Sequence, residues 1–148
     1  ALSVGIKTAI EIENYLGGKY FLTVDDVIVR NNKYELIESK HSKKAILPGE
    51  NDIKDGLIKM MLFSNIDRLY EETDVSSKTL VNFIPVLRLT SEKIQGKITT
   101  KMNESKINTF FQQNCFRKNR EEFVNTLFKE ARANNFEVII EYGERKER

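Results

Sequence analysis

One cysteine and one histidine occur in 148 residues, and their scarcity removes whole classes of chemistry. Cys115 has no second thiol to pair with, so an internal disulfide is excluded, which fits a reducing, cytoplasmic setting. A zinc site of the usual kind draws its four ligands largely from Cys and His, and this chain cannot supply them. No apolar run approaches the ~20 residues that a membrane helix needs, no signal-peptide pattern is visible, and no glycine-rich phosphate loop occurs. The chain opens on Ala1 rather than Met, which suggests a processed or excised piece. The net charge of +2 is weak for a binder of polyanions.

What is present belongs to an ordinary globular protein. The hydrophobic fraction is 40% and the charged fraction 31%. A chain of this length fits one domain, residues 1–148, burying about 68–70% of its unfolded surface. Apolar spacing predicts helices over 5–16 (closed by Gly17-Gly18), 53–70 (capped by Asn51 or Asp52), 108–116 and 119–134. Strand-like runs fall at 79–89, where Pro85 implies a bulge or an edge position, and at 136–142. Cys115 lies in an aromatic helical pattern and reads as a buried core thiol. The tail 143–148 is expected to fray. The order of elements predicts an α/β fold, a mixed β-sheet flanked by helices.

Two strings break the pattern of a half-buried strand. Thr23-Val24-Asp25-Asp26-Val27-Ile28-Val29 and Tyr34-Glu35-Leu36-Ile37-Glu38-Ser39-Lys40 are β-branched or aliphatic runs that carry acidic residues. Between them Arg30-Asn31-Asn32-Lys33 has the chemistry of a tight reversal. Alternation along a strand puts Leu36, Glu38 and Lys40 on one face. An antiparallel hairpin is expected to bring Asp26 beside Glu38, and two adjacent carboxylates are relieved of mutual repulsion when a hard cation such as Mg²⁺ takes oxygen ligands from both. Taken alone, Glu-x-Lys is equally an exposed ion pair and the aspartate a turn residue.

The combination resembles the PD-(D/E)XK nuclease superfamily. Asp26 stands at its first acidic position, Glu38-Ser39-Lys40 supplies the second acid, the variable residue and the lysine, and the basic stretch His41-Ser42-Lys43-Lys44 follows. The resemblance covers about half the chain, residues 6–65, and the stretch 36–65 looks most like a type II restriction endonuclease. It implies a restriction-endonuclease-like core and Mg²⁺-dependent hydrolysis of double-stranded DNA. Asp26, Glu38 and the Ser39 carbonyl would then bind the metal, with Lys40 catalytic and a homodimer favoured if both strands of a palindrome are cut. The proline of the motif is replaced by Asp25, which leaves Asp25 as the alternative ligand; Asp26 is preferred because the aliphatic run follows it directly. The family core has three strands before its central helix, and only residues 19–22 suggest the first. A resolvase or repair nuclease, or a non-catalytic nucleic-acid-binding or assembly domain, fits the same motif.

Two further features bear on this expectation. On the predicted helix 5–16, Ile6, Ala9, Ile10 and Leu16 form an apolar stripe that includes Glu13. A carboxylate there is costly unless paired or bound; members of the superfamily often carry an active-site glutamate at this position, and the alternative is a side chain that reaches water. Between Arg30 and Lys44 five Lys/Arg face two Glu. His41, Lys43 and Lys44 are therefore candidate nucleic-acid contacts, as are Lys93, Lys97, Lys101 and Lys106 in a polar loop. A solvated surface explains these residues equally well, as it does Lys54 and Lys59.

Overall fold

The computed structural model describes residues 2–4, 8–13, 16–74 and 77–145. In chain order the elements are β1 (Leu2–Val4), β2 (Thr8–Glu13), β3 (Lys19–Val24), β4 (Asp26–Arg30) and β5 (Lys33–Ser42), then α1 (Glu50–Ser64). There follow β6 (Leu69–Asp74), β7 (Ser77–Ser91), β8 (Lys97–Thr99), α2 (Glu104–Gln113), α3 (Lys118–Ala133) and β9 (Glu137–Tyr142). Among the described residues the main sheet is seven-stranded, in the order β1-β4-β5-β7-β9-β8 with β6 paired to β7 off that path, while β2 and β3 form a separate ribbon. The fold is mixed α/β, as the alternation of elements predicts.

The reversal between β4 and β5 follows its sequence closely. Arg30 pairs with Lys33, and Asn31 and Asn32 between them adopt φ of 50° and 60°. Two positive φ values in a two-residue loop make a type I′ turn, whose twist matches the flanking strands and which asparagine tolerates well. From β5 the chain crosses through α1 to β7, which runs parallel to β5, and β9 runs parallel to β7.

The registers sort the sheet into two faces. Leu87 stands beside Glu38 and Val138, and Leu89 beside Lys40 and Ile140. Leu87, Leu89, Val138 and Ile140 belong to the buried cluster that also takes Ile53, Met60 and Phe63 of α1, Phe110 and Phe111 of α2, and Val124 and Phe128 of α3. All three helices therefore cover the same face, rather than flanking the sheet on both sides. α1 comes so close that a Cβ on Gly56 would lie 2.6 Å from Leu87 Cδ1. The opposite face is charged: Arg88 and Lys97 pair with Glu141, and Lys101 with Glu137.

Several sequence expectations are corrected. Residues 8–13 form a strand, because Ile10-Glu11-Ile12-Glu13 alternates with period 2 and finds Leu22, Phe21, Tyr20 and Lys19 opposite; Ile6 lies outside the described residues, and Leu16 is exposed. The third strand preceding the helix in the main sheet is β1, paired to β4, not residues 19–22. The helix expected over 53–70 starts earlier, behind the N-cap Gly49, with Glu50 and Asp52 in its first turn. It stops at Ser64, where Asn65 caps Met61 O through both its backbone and side-chain amides; residues 65–68 form a connection, and Leu69 and Tyr70 open β6. β7 is central from Val86 onward, but at Pro85 it has only β5 beside it, since β6 pairs no further than Val81 and β9 begins at Val86; the edge position that the proline implies holds there. Cys115 is exposed: α2 ends at Gln113, and Cys115 takes φ 52° in the turn that follows. Of the tail, residues 146–148 lie outside the described residues.

Candidate active site

β5, β7 and β9 end together at Ser42, Ser91 and Tyr142, and antiparallel β4 begins at that same end. The carboxyl ends of parallel strands are where open α/β sheets gather ligands. Asp25, Asp26, Glu38, Ser39, Lys40 and His41 all lie here.

The register divides this group. Asp26 pairs with Ile37, and partners on antiparallel strands share a face, so Asp26 projects toward the open face. Glu38 and Lys40, one and three steps beyond Ile37, project toward the helices. The expected placement of Asp26 beside Glu38 on one face is therefore corrected. Asp25 lies at the bend before β4, and its Oδ2 accepts the Ser39 N–H at 3.0 Å. One more step of the ladder would set Asp25 opposite Glu38; instead the chain turns, and the carboxylate takes the acceptor position that a strand carbonyl would fill.

Glu38 is 7% exposed, a burial imposed by its neighbour Leu87 and the helix layer above. Lys40 Nζ lies 3.7 Å from Glu38 Oε1, within ion-pair range and loose enough for another group to approach. Asp26 Oδ1 is buried with no hydrogen-bond partner among the described residues, a condition that is rare and calls for a reason. The residue types suit Mg²⁺, which is held by one or two carboxylates and keeps several waters: Asp25 has an oxygen beyond the one bound to Ser39, and Glu38 directly precedes Ser39 on β5. Among the described residues no group of three or more His, Cys, Asp or Glu is gathered tightly enough to form a metal cage.

The other candidates distribute as follows. Glu13 is exposed and faces Lys19 at the far end of the β2–β3 ribbon, five ladder steps, or about 17 Å, from Val24. The structure does not bring it to Glu38. His41 lies between Thr90 of β7 and Glu92 in the turn that follows it, Nδ1 at 2.7 Å from Thr90 Oγ1 and Nε2 at 3.4 Å from Glu92 Oε2. Lys43 and Lys44 are exposed in a loop held by Ala45 N–H on Ser42 Oγ and by Ser91 Oγ on Ala45 O. Lys93 is exposed beside that loop, while Lys97 and Lys101 are tied to Glu141 and Glu137 on the open face. The Glu137 carboxylate, hydrogen-bonded to Lys101, holds that ammonium's pKa above its ordinary value. The stretch around these lysines is not one loop: it contains β8, and Lys106 lies in the first turn of α2. Lys59 donates to Thr23 O at 2.7 Å.

Sequence reasoning missed Thr90 and Glu92, because no local pattern links β7 to His41 across 49 residues. No family model matches the chain, and neither a curated protein nor a solved structure matches it. Among the described residues no helix is long and apolar enough to cross a membrane.

Proposed function

We propose that this protein is a metal-dependent DNA endonuclease of the kind its motif resembles, with the type II restriction enzymes as the nearest analogy. One observation carries the proposal. The carboxylate of Asp25, in the bend before β4, is bound to the Ser39 amide, next in sequence to Glu38, whose own carboxylate lies within ion-pair range of Lys40, all at the end where parallel β5 and β7 terminate. The strand order supports it as well, since β1, β4 and β5 adjoin before α1 and β7 follows in parallel.

In this reading Asp25 and Glu38, with the Ser39 carbonyl, would hold Mg²⁺, which when bound polarises a phosphate and acidifies a coordinated water. Asp26 contributes through its unpartnered oxygen only if the strand end rearranges. Lys40 supplies a compact positive charge against the charge that develops on the phosphorus oxygens during attack. Its distance from Glu38 leaves the ammonium free to exchange that carboxylate for phosphate. Lys43 and Lys44, on their braced loop, attract the flanking backbone of double-stranded DNA.

The test is incubation of plasmid and linear duplex DNA with the protein and Mg²⁺, alongside Glu38→Ala and Lys40→Ala. Discrete fragments from the wild type, reduced about a hundredfold or more in either variant, are expected. Cleavage that persists in both variants sinks the site. Binding of duplex without cleavage by any form points to the non-catalytic alternative, and preference for branched DNA points to a resolvase.

A further inference from the structure

Two clefts open at the amino ends of the parallel strands, the end of the sheet opposite Glu38. One, of about 400 Å³, includes Lys33, Phe83, Lys101 and Arg132 in its lining. The other, of about 540 Å³, includes Lys33, Phe83, Arg68 and Asp67. Lys33 and Phe83 line both, so the two clefts adjoin as one groove that wraps the strand ends, Lys33 (opposite Asn82) and Phe83 (opposite Tyr34) leaning to alternate faces of the sheet.

The charge along this groove is one-sided. Four cations line it (Lys33, Arg68, Lys101 and Arg132) against one carboxylate, Asp67. Lys101 is neutralised in part by Glu137, and Arg68 by Asp67 at 4.0 Å. Lys33 and Arg132 make no ion pair among the described residues; Arg132 is oriented instead by donating its Nε–H to the Thr100 carbonyl at 3.2 Å and by lying over the Phe128 ring. Its remaining guanidinium donors stay open to an anion. Lys33 is exposed immediately after the rigid type I′ turn, while Phe83 is partly buried and therefore held in place.

We propose that this groove is a second nucleic-acid contact, one that takes a single strand, its phosphates against Lys33 and Arg132 and a base against Phe83. Cations that track a backbone beside an aromatic stacking surface are the two components of sequence-tolerant single-strand binding. The groove is a separate site: Lys33 and Lys40 are seven residues apart on β5, about 23 Å. It does not depend on the nuclease reading, and it is tested without metal.

The experiment is fluorescence anisotropy of a short fluorescein-labelled single-stranded DNA, with chelator present, titrated at several salt concentrations. The wild type is expected to bind with a negative salt slope. Lys33→Gln with Arg132→Gln is expected to weaken binding at least tenfold and to flatten the slope by roughly 0.7 for each cation lost. Phe83→Ala is expected to weaken it roughly fivefold or more with the slope unchanged. Lys129→Gln, on the exposed side of α3, serves as the control for charge alone. If Arg132→Gln unfolds the protein, as circular dichroism would reveal, Lys33→Gln alone decides. Wild-type affinity in the variants, absence of binding by the wild type, or an equal loss in Lys129→Gln overturns the proposal. So does displacement by inorganic phosphate as effective as by unlabelled strand at equal phosphate concentration, which would assign the groove to a free anion. Failure of the cleavage assay leaves this result standing, because no step in it requires turnover.

Discussion

The carboxylate of Asp25 accepts the backbone N–H of Ser39 at 3.0 Å, so the residue before β4 is bound to the strand that carries Glu38 and Lys40. Its neighbour Asp26 points to the opposite face. The pair therefore separates two roles that the sequence leaves joined. Asp25→Asn keeps an oxygen for Ser39 and removes only the charge, which makes it the informative substitution. Calorimetric titration with Mg²⁺ is expected to show binding by the wild type and Asp26→Asn, with loss in Asp25→Asn and Glu38→Gln. Loss in Asp26→Asn with retention in Asp25→Asn would return the ligand role to Asp26.

Lys59 holds the chain just before this bend. Its Nζ donates to Thr23 O at 2.7 Å and lies 3.2 Å from Thr23 Oγ1, while Val24 is fully buried, so the approach to Asp25 is fixed on two sides. Lys59→Met is expected to cost about 0.5–1.5 kcal/mol and to speed hydrogen exchange at the Ser39 amide, with Lys59→Arg restoring part of the protection. Unchanged exchange at Ser39 in Lys59→Met would show that the contact does not reach Asp25.

Gly56 sets how closely α1 lies on the sheet. An added methyl meets fully buried Leu87; the overpacking costs about 1–3 kcal/mol, offset by roughly 1 kcal/mol of helix propensity. Gly56→Ala is expected to lower stability by about 1 kcal/mol in urea unfolding. Combined with Leu87→Ala, it is expected to cost less than the sum of the single changes, since the second substitution removes the obstructing atoms. Strict additivity would contradict the contact.

Tyr34 donates to Glu71 on β6, and its pKa is pushed up to about 12 from 10.0, first by that hydrogen bond and then by burial and the carboxylate's charge. A raised folded-state pKa means that the stabilisation is complete below pH 10, the unfolded value, and is lost as pH climbs toward 12. Stability is expected to fall across that window more steeply in the wild type than in Tyr34→Phe. Absorbance titration of phenolate in the two proteins, followed with thermal melts, checks it; identical profiles would remove the assigned pairing.

The hairpin was legible in the chain because its signals are local. The β-branched and aliphatic runs Val27-Ile28-Val29 and Leu36-Ile37 mark strands, and Asn31-Asn32 fixes their reversal through two residues that accept positive φ. The last two helices were legible to within a few residues for the same reason, each having its apolar stripe and a break after it. Residues 8–13 were not, because Ile and Glu at these spacings satisfy a short helical stripe as well as a strand, and only the facing residues of β3 decide between them. Exposed Cys115 was hidden by the end of α2, where Asn114 turns to Gln95 O and Phe110 O.

The sequence by itself determined that carboxylates and a lysine would sit on two adjoining strands, since covalent order and a period of two leave little freedom within a hairpin. It could not determine that Asp26 falls on the face opposite Glu38 while Asp25 turns to the Ser39 amide. A register shift of one residue would reverse the face of Asp26, and the bend at Asp25 depends on the Ser39 amide of the neighbouring strand and on the packing of Val24 in the core. Nor could it determine that all the helices cover one side, or that Lys33, Phe83 and Arg132 meet. Those follow from parallel crossovers and long-range registers, whose free energy resides in contacts between residues far apart in the chain.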